Sequence, residues 1–367
     1  MDIVIQGKPR AVIVLPGAPT PREIFAGEEL QKYVSRITGI KIDMVSDRET
    51  ENTRLHKIII GGPDRNAAAA KLIGAGEFDR IAPGPEGFLI KTFGWDTLLL
   101  AGSDRNRGER ERGTVYAVYE LLERYFQCSF TAYGCPGSEI GETVPRCDSL
   151  CLDNVAYSME KAGLSYRTSI VQFESTAYAY TPGYKLMPAF AGWMAKNRYN
   201  RVMLFLDVYE KLKKTDLFDE FVKRGIQMTA GHHNSGMFFL PPDGSELFPE
   251  KYYQTHPEYY KLGEDGVRFK PGGVLDGQFI FDMRNMDCIR QIAANTLCWL
   301  DINTEVDIVC FWPNDGLEPQ CCCCECSRYT KTVNYVFMAN EIAKIVYEKY
   351  PHVFTSCLPI LPFPRTF

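Results

Sequence analysis

Val306-Asp307-Ile308-Val309-Cys310-Phe311-Trp312-Pro313-Asn314-Asp315-Gly316 is a largely apolar run that ends in a carboxylate held between Asn and Gly. The pattern predicts a buried strand, Val306–Trp312, that runs out into a loop at Pro313. In parallel α/β folds ligands bind at the C-terminal ends of strands. Asp315 therefore stands where chemistry is usually done. Asn-Asp-Gly is also ordinary turn chemistry, because these residues tolerate the dihedrals of tight turns. The rest of the chain has to decide between the two.

Working outward, Ser165–Val171, Arg201–Leu206, Ile226–His232 and Phe354–Leu358 read as further strands. Helical patterns lie between them near Leu186–Arg198, Asp216–Arg224, Asp287–Leu300 and Val333–Tyr350. Strands alternating with helices of this length predict βαβ units and a parallel sheet. A full (β/α)₈ barrel takes about 250 residues, and roughly 200 follow Leu164 here, many of them in an excursion between Met237 and Phe281. The expectation is a partial, about five-stranded TIM-type barrel over residues 160–367 that stops short of closure. Its first and last strands are expected to be open edges through which copies self-associate.

Residues 1–155 read as a separate small α/β domain. Ala11–Leu15 and Lys57–Ile60 are short apolar strands. Pro21 opens a helix with Phe25, Leu30, Tyr33, Val34 and Ile37 on one face, and Thr38-Gly39 is its stop. Gly87–Lys91 and Thr97–Ala101 suit a hairpin around Gly94, and Gly113–Tyr125 suits an amphipathic helix.

The 45% hydrophobic and 24% charged content of the 367 residues is that of a soluble globular protein. A net charge of −5 with scattered Lys and Arg excludes a clustered basic face, so nucleic acid is not expected as a partner. No apolar run reaches the length of a membrane span, and Met1–Pro16 lacks the h-region of a secretory signal. Thirteen cysteines, several adjacent, do not make a disulfide framework, which points to a reducing cytoplasm.

Several stretches resemble known families. Phe25–Tyr33, Ile58–Gly61, Glu86–Phe88 and Arg112–Glu123 resemble the N-terminal domain shared by α-glucuronidases and β-hexosaminidases. Trp193–Asn200, His256-Pro257-Glu258-Tyr259-Tyr260, Pro313–Gly316 and the Cys-x-Cys-x-x-Cys of Cys321, Cys323 and Cys326 resemble the bacterial domain of unknown function 4838, a glycoside-hydrolase-like barrel. Cys322 and Cys324 are additional to that pattern. The resemblance implies a carbohydrate-active hydrolase taking an oligo- or polysaccharide, with uronic-acid or amino-sugar units, and no required cofactor. The alternatives are a non-catalytic carbohydrate-binding barrel and a zinc-stabilised interaction module.

Glycoside hydrolysis needs a carboxylic acid to protonate the leaving oxygen and a second carboxylate about 5–9.5 Å away. Asp315 is the candidate acid, as in the similar Asn-x-acid-Gly loops of α-glucuronidases, and Glu318 is a second carboxylate. Gly231-His232-His233-Asn234 ends the third strand, so His232 or His233 is expected in the same mouth, for sugar hydroxyls. Side chains alternate along a strand, so the two imidazoles are expected to face different ways. Asn314 and Trp312 flank the acid, and Trp312 is a stacking surface. Asp207, expected at the end of the second strand, and Arg167, a bidentate partner for a uronate, complete the substrate-binding set; for both, a structural ion pair is the competing reading. Cys321, Cys323 and Cys326 would hold a structural Zn²⁺ if a fourth ligand came from elsewhere; free thiols or a disulfide remain open.

Overall fold

The computed structural model describes residues 1–50, 53–82, 84–103, 111–133, 141–160, 162–171, 187–216, 218–233, 235–271, 280–312 and 319–357. The chain forms two compact units, interleaved in sequence. The first takes residues 1–168, 182–201 and 216–226, and the second takes 169–181, 202–215 and 227–367.

The first unit is built on a six-stranded sheet. Its strands are β1 (Ala11–Leu15), β2 (Met44–Ser46), β3 (His56–Ile60), β4 (Phe88–Phe93), β5 (Thr97–Gly102) and β6 (Ala156–Met159), in the order β6-β4-β5-β3-β1-β2. β1 pairs in parallel with both β2 and β3, and β3 pairs in parallel with β5. β4 and β5 form the expected hairpin, turning at Gly94 with φ 62°. Helix α1 (Pro21–Thr38) starts on a capping box: the Glu23 N–H donates to Thr20 Oγ1 at 3.2 Å and the Thr20 N–H to Glu23 Oε2 at 2.7 Å. These bonds satisfy two donors that the first helical turn would otherwise leave bare. Gly39, at φ 76°, stops the helix in the left-handed region where a side chain would be strained.

Helix α2 (Gly113–Arg124) lies closer to the sheet than any side chain would allow. A Cβ on Gly102 would sit 1.9 Å from the Thr114 nitrogen, and one on Gly113 would sit 2.1 Å from the Gly87 oxygen. Helix α3 (Met187–Lys196) belongs to this unit too. It carries Lys196, whose ammonium pairs with Glu142, and Arg36 pairs with the same carboxylate. Tyr33 donates its hydroxyl to Glu142 at 3.1 Å. Burial pushes the Glu142 carboxyl up, but Lys196 and Arg36 outweigh it and hold its pKa at about 2.

The second unit carries a five-stranded sheet in simple sequence order: β7 (Thr168–Val171), β8 (Arg201–Leu204), β9 (Gln227–Ala230), β10 (Ile308–Cys310) and β11 (Phe354–Ser356). β9 pairs in parallel with β10, Thr229 opposite Ile308, and β10 in parallel with β11. Helices α4 (Met286–Ile302) and α5 (Lys331–Lys349) supply the crossovers before and after β10. Asn285 caps α4 by accepting the N–H groups of Asp287 and Cys288, and Thr330 caps α5. This is a partial α/β barrel, and among the described residues β7 and β11 are outermost in the sheet. Among the described residues no helix is long and apolar enough to cross a membrane.

The strands are shorter than the sequence suggests, and one difference matters. The expected strand Arg201–Leu206 ends at Leu204, because Leu206–Lys213 forms a helix with Leu206, Val208, Tyr209 and Leu212 on its buried side.

Candidate functional site

β9 ends at Ala230, and Gly231 then turns the chain at φ 111°. A Cβ there would stand 2.3 Å from the Cys310 carbonyl oxygen and 2.5 Å from Ser235 Oγ, so only glycine fits. The turn abolishes the strand's alternation. His232 and His233 therefore do not point opposite ways: their rings meet edge to face with centroids 3.9 Å apart. This corrects the expectation from strand periodicity, since both histidines lie past the last strand residue.

Trp312, just beyond β10, completes the cluster. Its ring centroid is 4.8 Å from His232 and 6.3 Å from His233, and Phe205, just beyond β8, is 4.3 Å from His232. The C-terminal ends of three neighbouring strands thus deliver four rings to one place. Ser235 ties the ends together. Its hydroxyl accepts the His232 N–H at 3.2 Å and donates to the Cys310 carbonyl at 2.5 Å. The Trp312 N–H donates to the His232 carbonyl at 3.4 Å. His232 is 5% exposed, whereas His233 and Trp312 are half-buried. The indole Nε1 of Trp312 is a buried donor with no acceptor among the described residues.

Asn314, Asp315 and Glu318 lie outside the described residues. Asp207 does not end a strand; it sits, exposed, in the first turn of the Leu206–Lys213 helix. Arg167 reaches both oxygens of Glu86 through Nη2, Oε1 at 2.8 Å and Oε2 at 2.7 Å, while its Nε and Nη1 donate to the carbonyls of Arg198 and Leu164. Glu86 further accepts from Arg112 at 3.2 Å and Asn200 at 2.8 Å. Burial lowers the Arg167 pKa, but the Glu86 carboxylate more than compensates and raises it. The Arg167 fork is committed to a carboxylate, but to one belonging to the chain itself.

The His256-Pro257-Glu258-Tyr259-Tyr260 stretch forms a 3₁₀ turn, Pro257–Tyr259, with the His256 and Tyr259 rings stacked 4.6 Å apart and Tyr260 buried. Trp193 packs on Phe190 and Tyr199 within the first unit.

The three spaced cysteines do converge, and they bring a residue that the sequence reading missed. Asp282 Oδ1 lies 3.4 Å from Cys323 Sγ and 3.3 Å from Cys326 Sγ. The Leu262 N–H donates to Cys321 Sγ at 3.2 Å and the Cys326 N–H to Cys323 Sγ at 3.4 Å. The hydrogen bond with Cys326 outweighs burial and brings the Cys321 thiol down to about 6; the same bond, with burial and the Asp282 charge, pushes Cys326 up. Cys310 is a buried residue of β10 and no part of this group. No spacing rule links Asp282 to Cys321–Cys326, so only the fold could reveal it.

No protein-family model matches the chain, and no curated protein matches it in sequence. Among solved structures it is similar to a family GH115 4-O-methyl-α-glucuronidase with specificity for decorated arabinogalactans, at 14% identity and a TM-score of 0.54. That match covers 96% of this chain and 42% of the other. It is also similar to the GH20 β-N-acetylhexosaminidase from Streptomyces coelicolor A3(2), at 11% identity and a TM-score of 0.51, over 97% of this chain and 63% of the other. The chain thus spans less than two thirds of either protein. At such identities the likeness is one of fold: a glycoside-hydrolase-like α/β architecture.

Proposed function

We propose that the chain acts on an oligo- or polysaccharide as a glycoside hydrolase, with its substrate site at the mouth formed by the ends of β8, β9 and β10. The observation that carries this reading is the convergence of His232, His233, Trp312 and Phe205 at the strand ends. Asp315 follows Trp312 by three residues in sequence. Aromatic faces suit the apolar faces of sugar rings, and imidazole nitrogens suit their hydroxyls. The barrel fold supports the assignment, because (β/α) barrels carry their chemistry at this end.

In this reading Asp315 is the general acid. Its carboxyl proton passes to the glycosidic oxygen as the bond from that oxygen to the anomeric carbon breaks. A second carboxylate, for which Glu318 is the candidate, either takes a proton from the attacking water or bonds to the anomeric carbon. Asn314 and the two histidines orient the sugar. A uronic-acid or amino-sugar unit is the proposed substrate class, and the cytoplasm the proposed compartment.

A dye-release screen of aryl glycosides, including glucuronides and N-acetylhexosaminides, tests the proposal. Turnover of one class, lost in Trp312→Ala, supports it. Saturable sugar binding without turnover would replace it with a carbohydrate-binding role, and neither turnover nor binding would sink it.

A further inference from the structure

We infer that Asp282, Cys321, Cys323 and Cys326 form a four-ligand zinc centre that staples the excursion after β9 to the segment after β10. This inference does not depend on the proposed function. The four donor atoms all lie within 4.8 Å of one another. A tetrahedral Zn²⁺ with Zn–S of about 2.3 Å and Zn–O of about 2.0 Å requires S···S separations of about 3.8 Å and S···O separations of about 3.5 Å. The observed S···O separations, 3.4 and 3.3 Å, already match.

The surroundings are those of a thiolate site. Backbone N–H groups of Leu262 and Cys326 aim at Cys321 Sγ and Cys323 Sγ, where they stabilise sulfur carrying negative charge. Asp282 is buried, and its second oxygen accepts from Arg268 Nη1 at 3.2 Å, which fixes the carboxylate's orientation. Three thiolates and a carboxylate around Zn²⁺ leave a net charge of about −2, which the Arg268 guanidinium partly offsets. Soft thiolates in tetrahedral array select zinc over calcium or magnesium. Four protein ligands leave no open position, so the centre is structural.

What it holds is a region with little regular structure of its own. Cys322 donates its N–H to the Leu262 carbonyl at 2.8 Å, and Asp282 donates its N–H to the Tyr259 carbonyl at 2.9 Å. Isolated bridges, Tyr260 with Phe281 and Leu262 with Arg268, also tie it. The excursion buries Tyr260, Ile280, Phe281 and Met283, and a metal adds to that packing a cross-link between two segments that no strand pairing joins among the described residues.

The test uses the purified full chain. Metal analysis should give one zinc per chain, and replacement by Co²⁺ should give sulfur-to-cobalt charge-transfer absorption with the strong visible bands of a tetrahedral site. Alkylation followed by peptide mapping needs no variant: Cys324, which is exposed, should label at once. Cys321, Cys323 and Cys326 should label only after a chelator is added. Asp282→Ala should lower zinc affinity by at least about 10-fold, while Cys324→Ser leaves it unchanged. The inference is overturned if the chain neither holds zinc nor takes cobalt tetrahedrally. A disulfide among the three cysteines, equal labelling with and without chelator, or stoichiometric iron in place of zinc would also overturn it.

Discussion

The imidazoles of His232 and His233, adjacent in sequence, meet edge to face with centroids 3.9 Å apart, where a continuing strand would have sent them to opposite faces. Gly231 is the cause. Replacing it with Ala forces a Cβ to 2.3 Å from the Cys310 carbonyl at a backbone angle that L residues rarely adopt. Gly231→Ala should destabilise the fold by about 1–3 kcal/mol, read as a lower midpoint in denaturant. Full stability would show that the turn relaxes without cost.

The ring cluster predicts a division of labour. His233→Ala should raise KM for a glycan substrate by roughly 10-fold, the loss of about one hydrogen bond to a sugar, with kcat changed less. Trp312→Phe should be milder than Trp312→Ala, because it keeps an aromatic face. If kcat falls and KM does not, the histidine belongs in the chemistry rather than in binding.

Glu86 is the acceptor for Arg112, Arg167 and Asn200 together. The Arg112 side chain is 3% exposed. Glu86→Ala leaves that guanidinium buried without its carboxylate, and should cost about 3–5 kcal/mol. Thermal and chemical unfolding measure it. A loss below about 1 kcal/mol, the range of exposed pairs, would mean that the cluster is solvated and does not organise the unit.

Glu142 sets an acid limit on stability. Its folded pKa of about 2 lies below the ordinary carboxylate value of 4.5. The stabilisation is therefore fully present above about pH 4.5 and fades as pH falls towards 2. With solvent screening at this half-buried site, the contribution is on the order of 1–2 kcal/mol. Glu142→Gln should flatten the stability profile across that window. A profile equally steep in the variant would place the acid sensitivity elsewhere.

Local signals made much of the fold legible. Thr20-Pro21 with Glu23, and Gly39 at the far end, mark α1 because caps are chemistry between near neighbours. The β4–β5 hairpin shows itself through Gly94. Leu206–Lys213 was not legible as a helix, because Arg201–Leu206 reads as one apolar strand and nothing marks the break after Leu204. The site was legible only in part. His232, His233 and Trp312 follow from their places at strand ends, but their convergence depends on the φ of Gly231 and on Ser235 bridging to Cys310. Arg167 looks like a ligand-binding residue until Glu86, far earlier in the chain, is seen to occupy it. Asp282 reaches the cysteines by a fold-level approach that no periodicity encodes.

The central claim is that Asp315 is the acid of a glycosidase. Its most direct test is turnover by the wild type and Asp315→Asn on paired aryl glycosides, one with a good leaving group and one with a poor one. A good leaving group departs without protonation; a poor one does not. The account predicts a loss of at least ~10²-fold on the poor leaving group, with a much smaller loss on the good one. Equal rates for wild type and a correctly folded Asp315→Asn on the poor leaving group would contradict it.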